Sequence, residues 1–232
     1  MTEHQPTAYL RGQVVTPTAV IEDGVVVLQG DTIAWVGPAA HAARQGWPDV
    51  PDVPDREQTP VTLLPGLVDL HNHGGGGAGF PDASTPDEAR VAVREHLAHG
   101  TTSLVASLVT AAPATLRQRV GVLAELAEAG ELAGIHLEGP FLSATRCGAQ
   151  DPDLIQAADP DLVRELAGAA RGHLVTMTVA PEVAGIAGDG GVVDALVAAG
   201  ALPSFGHTDA SWTQTSVVVA AARTRLADSP GR

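Results

Sequence analysis

Residues 65–77, PGLVDLHNHGGGG, contain two histidines separated by one residue and followed by four glycines. The apolar residues before His71 predict a buried strand, and side chains on a strand alternate between its two faces. His71 and His73 should therefore point to the same side at the end of this strand. Neutral imidazole is the commonest protein metal ligand, so the pair favours a metal site over the alternative of two surface histidines.

Strand-like and helix-like segments alternate downstream of this stretch. Strands are predicted at about residues 66–71, 102–108, 133–138, 173–180 and 201–206. Helix signals separate them, such as Thr85 followed by Pro86 and Glu88, which together predict a capping box at a helix start. Repeated βα units predict a parallel sheet, and a closed (β/α)8 barrel needs eight of them. The predicted fold class is α/β, an incomplete TIM-type barrel of about five βα units.

The N-terminal part of the chain has a different pattern. Short runs rich in β-branched residues occur at 14–15, 24–28 and 32–37, with a turn predicted at 29–31. This pattern indicates a small β domain. Residues 47–60, rich in proline and acids, are predicted to form a linker or an exposed loop.

Charge and cysteine content exclude several classes of partner. Thirteen basic and 27 acidic residues give a formal net charge of −14, which argues against nucleic acid and anionic membranes as partners. The single cysteine, Cys147, excludes an internal disulfide and suits a reducing cytosol. No signal-peptide pattern and no apolar run of about 18 residues is found, so we expect a cytoplasmic protein without a membrane partner.

Polar side chains occur where the predicted barrel strands end. Glu138 ends the third strand, and His207 follows the fifth. An unpaired buried carboxylate is costly, so Glu138 should be paired, hydrogen-bonded or bound to metal. Because active sites of barrels lie at the C-terminal ends of their strands, we predict a metal bound by His71, His73, Glu138 and His207. Such nitrogen and oxygen ligands suit Zn²⁺ or a similar divalent ion.

Other polar residues near these positions receive weaker assignments. His136 shares the parity of Glu138, and we predict that it orients a ligand rather than binding metal directly. Glu182 and Asp209 fit either such supporting roles or ordinary solvated carboxylates. The remaining histidines, which lack a partner at a suitable spacing, are predicted to be ordinary residues: His4, His41, His96, His99 and His173.

The predicted metal points to a class of reaction. A bound divalent ion makes hydroxide available at neutral pH and polarises a carbonyl oxygen, which indicates hydrolysis of an amide or ester. No nucleophile elbow, P-loop or dinucleotide-binding pattern competes with this interpretation. The glycines at 74–77 are not followed by the Lys-Ser/Thr pair of a phosphate-binding loop.

These motifs resemble the amidohydrolase superfamily, and within it the N-acetylglucosamine-6-phosphate deacetylases. The matching segments are 65–77, GTTS at 100–103, HLEGPF at 136–141, TVAPE at 178–182 and GHTDA at 206–210. The Asp-x-His-x-His start is common to the superfamily, whereas HLEGP is specific to the deacetylases. The resemblance extends from about residue 8 to about residue 211.

The resemblance implies a β-sandwich beside a (β/α)8 barrel, a homodimer, and one or two Zn or Fe ions per subunit. It implies hydrolysis of N-acetylglucosamine 6-phosphate to glucosamine 6-phosphate and acetate. Glu138 and His207 match metal ligands, while His71 and His73 match the ligand pair of members that hold a second metal. Ala149 and Gln150 match the loop that touches the sugar. Cys147 lies in this loop, where a mobile lid is one interpretation and an ordinary thiol the favoured one.

The chain departs from the family pattern after Ala210. A Thr-His-x-x-Asn-Ala-Met segment is expected there and is absent, and the aspartate used as general acid and base is expected beyond residue 232. We therefore expect a truncated product, with a β-sandwich portion and linker at 1–62, barrel units at 63–210 and a divergent tail at 211–232. Such a chain should be poorly soluble and bind metal weakly, because an unclosed barrel has open strand edges.

Two alternatives to deacetylation remain open. One is another amidohydrolase activity, on a cyclic amide or an N-acyl amino acid, against which the HLEGP segment argues. The other is a catalytically inactive fragment of a deacetylase. Acetate release from the phosphorylated sugar would separate deacetylation from the inactive fragment.

Overall fold

The computed structural model describes residues 7–48, 50 and 61–229. The chain divides after Gly66 into two compact units, residues 1–66 and 67–232. Most of the linker predicted at 47–60 lies outside the described residues. The predicted three-part division, with a separate tail from residue 211, stays a prediction.

The first unit contains a four-stranded sheet in the order β3-β2-β1-β4. Its elements are β1 Thr7–Val15, β2 Val20–Gln29, β3 Thr32–Pro38, helix α1 Ala39–Ala42, a 3-10 turn Ala43–Gln45 and β4 Thr62–Leu63. The first three strands pair antiparallel, and β4 pairs parallel to β1. The predicted turn between β2 and β3 is present, with Gly30 at a φ of +60°. The small β domain predicted for this part of the chain is therefore present as one sheet in the described residues, and its place in a β-sandwich stays a prediction.

The second unit is an α/β half-barrel. Its elements are β5 Leu67–Asn72, β6 Gly74–Gly75, β7 Ala78–Gly79, α2 Pro86–Ala98, β8 Thr101–Leu108, α3 Pro113–Glu128, β9 Gly134–Glu138, 3-10 turns Ala144–Arg146 and Pro152–Leu154, α4 Pro160–Ala169, β10 Leu174–Val179, α5 Val192–Ala198, β11 Leu202–Phe205 and α6 Trp212–Ala227. Five parallel strands form the sheet β11-β10-β9-β8-β5. The predicted incomplete barrel is confirmed.

Helix α2 begins close to its predicted start, with a modified cap. The Thr85 side chain accepts the Glu88 backbone N–H at 3.4 Å, as the capping box requires. The Glu88 carboxylate, however, accepts from the backbone and hydroxyl of Ser84, at 2.7 and 2.8 Å. The Glu88 side chain thus accepts from the backbone N–H of Ser84 rather than from that of the N-cap residue Thr85. This bond still satisfies a backbone donor ahead of the helix.

Strand β5 is exposed, which corrects the prediction of a buried strand. Leu67, Val68 and Leu70 have exposed fractions of 56%, 64% and 67%. Within the described ranges 7–48, 50 and 61–229, the strand lies at one edge of the sheet and pairs with β8 alone. By contrast, all five residues of the central strand β9 are buried. The apolar run explains why these residues form a strand. Their burial would require a further strand or helix beside β5, which the described residues do not provide. Low solubility of the chain stays a prediction.

The tail predicted from residue 211 contains helix α6. Ser211 and Gln214 form a capping box at its start, a signal that sequence analysis did not use. Val218 and Ala222 are buried, while Trp212 is 85% exposed. In the part of the chain that the structure describes, no helix is long and apolar enough to cross a membrane.

Candidate metal centre

Four predicted ligands come from the C-terminal ends of three strands of the half-barrel. His71 lies near the end of β5 and His73 directly after that strand, Glu138 is the last residue of β9, and His207 follows β11. Parallel strands place their C-terminal ends at the same edge of the sheet. The topology therefore brings together residues that are up to 136 positions apart in the chain.

The side chains of His71, His73 and Glu138 converge on one point. The two Nε2 atoms are 2.9 Å apart, and they lie 3.5 and 3.0 Å from Glu138 Oε1 and Oε2 respectively. Their ligand atoms all lie within 4.8 Å of one another. Two imidazole nitrogens directed at a buried carboxylate form a donor set that fits a divalent cation of the zinc type.

His207 approaches the same carboxylate through its own contact. Its Nε2 is 2.8 Å from Glu138 Oε1, and its Nδ1 donates to the Arg146 carbonyl at 3.0 Å. That second bond assigns the Nδ1 proton and directs Nε2 at the carboxylate. His207 has a φ of +50°, and Gly148 leaves room for its ring, since a Cβ there would lie 3.3 Å from His207 Cε1.

Glu138 is an ionised carboxylate in a buried position. Burial alone would raise its pKa, but hydrogen bonds from His73 and His207 outweigh that effect and lower the pKa to about 2. Gln150 Nε2 donates to Glu138 Oε2 at 2.9 Å, while Gln150 Oε1 accepts the Thr110 backbone N–H at 2.8 Å. The Gln150 amide therefore holds the carboxylate in place.

His73 is fixed through both of its ring nitrogens. Its Nδ1 donates to the Ser107 carbonyl at 3.2 Å, which leaves Nε2 facing the carboxylate. The hydrogen bond with Glu138 raises the pKa of His73 against the opposing effect of partial burial. A metal that binds at this nitrogen must therefore displace a proton from His73 Nε2, which the ionised Glu138 carboxylate stabilises.

His136 packs against the His71 ring and bonds to two hydroxyl groups. Its Nδ1 is 2.8 Å from Ser107 Oγ, and its Nε2 is 2.8 Å from Thr178 Oγ1. Its ring centroid is 4.6 Å from that of His71. Burial lowers the pKa of His136 to about 4, assisted by His71, so the ring is neutral. A supporting rather than ligating role for His136 stays a prediction that these contacts support.

We expect the His136→Leu variant to lose about 2 kcal/mol of unfolding free energy, because Ser107 and the buried Thr178 hydroxyl would each lose a hydrogen bond. Urea unfolding of the metal-free chain measures this loss. The matched control is His173→Leu, in the loop before β10, which should change stability by less than about 0.5 kcal/mol. Equal stabilities of the two variants would contradict the role given to His136.

Glu182 and Asp209 support the loop that carries His207. Glu182 accepts hydrogen bonds from the Thr208 hydroxyl and from the Asp209 backbone N–H, the latter at 2.7 Å. Burial opposes these bonds, which nevertheless lower the pKa of Glu182. The Asp209 carboxylate pairs with the Arg146 guanidinium at 2.7 Å. The backbone carbonyl of Arg146 accepts the hydrogen bond from His207 Nδ1. Both carboxylates therefore contact the loop that carries His207, and a supporting role for them at the metal centre stays a prediction.

The predicted substrate loop contains residues of different accessibility. Ala149 is exposed, and Cys147 is half-buried, with its Sγ 3.9 Å from the Gly148 carbonyl. Gln150 is only 7% exposed, and internal partners occupy both ends of its amide. Contact of Ala149 and Gln150 with a sugar, and a lid role for Cys147, stay predictions.

Sequence reasoning missed Ser107, which links the end of β5 to His136 on β9. Its hydroxyl accepts the Asn72 backbone N–H at 3.0 Å and contacts His136, and its carbonyl accepts from His73. The residue is fully buried near the end of β8. A lone serine in the apolar run 104–109 was the signal, since buried polar groups require partners.

Comparison with known proteins places this geometry in a family. The profile of the amidohydrolase family matches residues 62–222. The chain belongs to the amidohydrolase family. This amidohydrolase is 34% identical over 180 residues to an N-acetylglucosamine-6-phosphate deacetylase of Bacillus subtilis (strain 168), covering 73% of this chain and 43% of the relative. It is 28% identical over 165 residues to an N-acetylgalactosamine-6-phosphate deacetylase of Shewanella sp. (strain ANA-3), covering 68% and 40%.

A solved structure extends the similarity to the fold of the amidohydrolase. N-acetyl-D-glucosamine-6-phosphate deacetylase from Mycobacterium smegmatis matches with a TM-score of 0.76 at 37% identity, over 92% of this chain and 53% of that one. The chain thus spans about half the length of the relatives it matches.

Proposed function

We propose that this amidohydrolase removes the acetyl group of N-acetylglucosamine 6-phosphate, giving glucosamine 6-phosphate and acetate. The observation that carries the proposal is the convergence of His71 and His73 on Glu138 at the strand ends. The names of similar proteins supply the substrate class, since several are deacetylases of this sugar phosphate. Amino-sugar catabolism in the cytoplasm, by a homodimer, completes the proposal.

The centre is suited to one or two divalent ions, Zn or Fe. His71, His73 and Glu138 would hold one ion, and Glu138 with His207 would contribute to a second. Glu138 can serve both because His73 faces its Oε2 while His71 and His207 face its Oε1. When bound, such an ion supplies Lewis acidity toward an amide carbonyl and lowers the pKa of water. The amidohydrolase family depends on metal, in agreement with this donor set.

The protein's own residues fix the ligands before any metal binds. Hydrogen bonds from Gln150, His73 and His207 hold the Glu138 carboxylate in place, and those from the two histidines keep it ionised. The carboxylate therefore needs little reorganisation when a metal binds. His207 is oriented by the Arg146 carbonyl. We propose that Ala149 and Gln150, in the loop that follows Arg146, lie beside the sugar. Cys147 lies in the same loop.

Acetate release tests the proposed activity directly. The purified 232-residue chain, supplied with Zn²⁺ or Fe²⁺, is incubated with N-acetylglucosamine 6-phosphate, N-acetylgalactosamine 6-phosphate and an N-acetyl amino acid. Release from the first substrate, lost on chelation and in the Glu138→Gln variant, supports the proposal. A preference for the galactosamine epimer or the amino acid reassigns the substrate. A folded, metal-loaded chain that releases no acetate from any of the three supports the inactive fragment.

A further inference from the structure

Asn72, the residue between the two histidines, is held by hydrogen bonds from its backbone and its amide. Its backbone N–H donates to Ser107 Oγ at 3.0 Å, and its Nδ2 donates to Asp69 Oδ2 at 2.7 Å. Its Oδ1 accepts the Gly74 backbone N–H at 2.8 Å, which fixes the orientation of the amide. The conformation of Asn72 therefore determines how the chain leaves β5 and where His71 and His73 point.

His96 of helix α2 reaches the same turn from outside the strand. Its Nε2 lies 3.0 Å from Asn72 Nδ2 and 3.1 Å from the Gly74 carbonyl oxygen. Whether this nitrogen donates to the carbonyl or accepts from the amide, the ring is bonded to the turn that follows β5. His96 is half-buried, and sequence analysis assigned it no role.

The run of glycines at 74–77 makes this contact possible. A Cβ at Gly75 would lie 2.7 Å from His96 Nε2, so a side chain there would displace the ring. Gly74 has a φ of +137°, and a Cβ on it would lie 2.2 Å from the Ala78 carbonyl oxygen. The glycines thus let the β6–β7 hairpin approach α2 closely. This close approach is a structural reason for the glycine run at 74–77, which lacks the signature of a phosphate-binding loop.

Strand β5 needs an external support at this end. Among the strands that the structure describes it pairs only with β8, and the register of that pairing shifts between Asp69 and Asn72. The sheet therefore supplies fewer constraints at the ligand-bearing end of β5 than at β9, which pairs on both sides. A side chain from the helix can supply the missing constraint.

We propose that His96 is a positioning residue for the metal centre: by bonding to Asn72 and Gly74 it keeps the Nε2 atoms of His71 and His73 directed at Glu138. The proposal rests on the proposed function only in requiring that this centre binds metal. The expected consequence is a loss of metal affinity without loss of any ligand. Groups that orient metal ligands typically contribute 10–100-fold in affinity.

Metal titration of the full 232-residue chain tests the proposal. We expect His96→Ala to weaken Co²⁺ and Zn²⁺ binding about tenfold and to alter the visible spectrum of the Co²⁺-loaded chain. His96→Gln, whose amide can still bond to the turn, should recover most of the affinity. Gly75→Ala, which crowds the ring, should resemble His96→Ala. The matched control is His99→Ala at the C-cap of α2, with a 74% exposed side chain, which should bind metal as the unaltered chain does.

Two results would overturn the role of His96. One is unaltered affinity and an unaltered Co²⁺ spectrum in His96→Ala. The other is a glutamine variant as weak as the alanine variant, with both losing the same unfolding free energy, which indicates a merely structural residue. In the metal-free chain, ¹⁵N shifts of His71 and His73 should change in His96→Ala and not in His99→Ala. An affinity of Glu138→Gln within threefold of the unaltered chain would instead refute the proposed centre, independently of His96.

Discussion

The Glu138→Gln variant is expected to bind Zn²⁺ at least about 100-fold more weakly than the unaltered chain. Loss of a residue that merely orients a ligand costs about 10–100-fold. Among the described residues Glu138 is the one carboxylate in the converging group, so its loss should exceed that range. Glutamine has nearly the same volume but no charge. The variant would therefore leave the imidazoles of His73 and His207 without the anion that now faces them.

Competition with a coloured chelator measures this loss of affinity. The matched control is Glu165→Gln, a half-exposed carboxylate on α4 that pairs with Arg117 away from the strand ends. That variant should retain the affinity of the unaltered chain, because exposed ion pairs contribute little. Binding in Glu138→Gln within threefold of the control would exclude Glu138 as a ligand.

Metal affinity is also expected to fall steeply on acidification, by about 100-fold over two pH units below the pKa of His73. The hydrogen bond with Glu138 raises the pKa of His73 above 6.5, so a proton competes with the metal near neutrality. Each proton displaced changes the apparent affinity tenfold per pH unit. Metal titration at successively lower pH values, starting at neutrality, measures the slope. A pH-independent affinity would contradict the involvement of His73.

The stability of the metal-free chain should follow a different pH profile. The contribution of His73, whose pKa is raised, is fully present below 6.5 and is lost as the pH rises through its pKa in the folded chain. His136, whose pKa falls from 6.5 to about 4, destabilises the fold as the pH falls through that window, because the unfolded chain takes up the proton first. Below 4.5 the contribution of Glu138 is lost as well, toward its folded pKa of about 2.

Urea unfolding across this range should therefore show a maximum near pH 6.5 for these three groups. The His136→Leu variant should lose the decline between pH 6.5 and 4, while the decline above pH 6.5 remains. A variant profile parallel to that of the unaltered chain would contradict the assignment of the acid limb to His136.

Local sequence patterns predicted the element types and the direction of the main ligands. The alternation of a strand placed His71 and His73 on one side, and their Nε2 atoms are indeed 2.9 Å apart. Glycine and proline signals placed the boundaries of the five strands within about two residues, because turn and cap chemistry acts over only a few residues.

Contacts across the sheet were beyond those patterns. Burial of β5 was wrongly predicted, because the same apolar run suits an interior strand or an edge strand. His96 was assigned no role, although its ring lies against Asn72, 24 positions earlier in the chain. The bonds of the Gln150 amide to Glu138 and Thr110 were not predicted either, while its contact with the sugar stays a prediction.

The sequence by itself determined the α/β alternation, the polar residues at the strand ends and the parity of the histidine pair. These depend on backbone periodicity, which is a local property of the chain. The tertiary structure alone decided which strand lies at an edge, how Glu138 is kept ionised, and which helix side chain supports the turn after β5. Those properties depend on which distant segments become neighbours, and hydrogen bonding, burial and pKa follow from the neighbours that folding supplies.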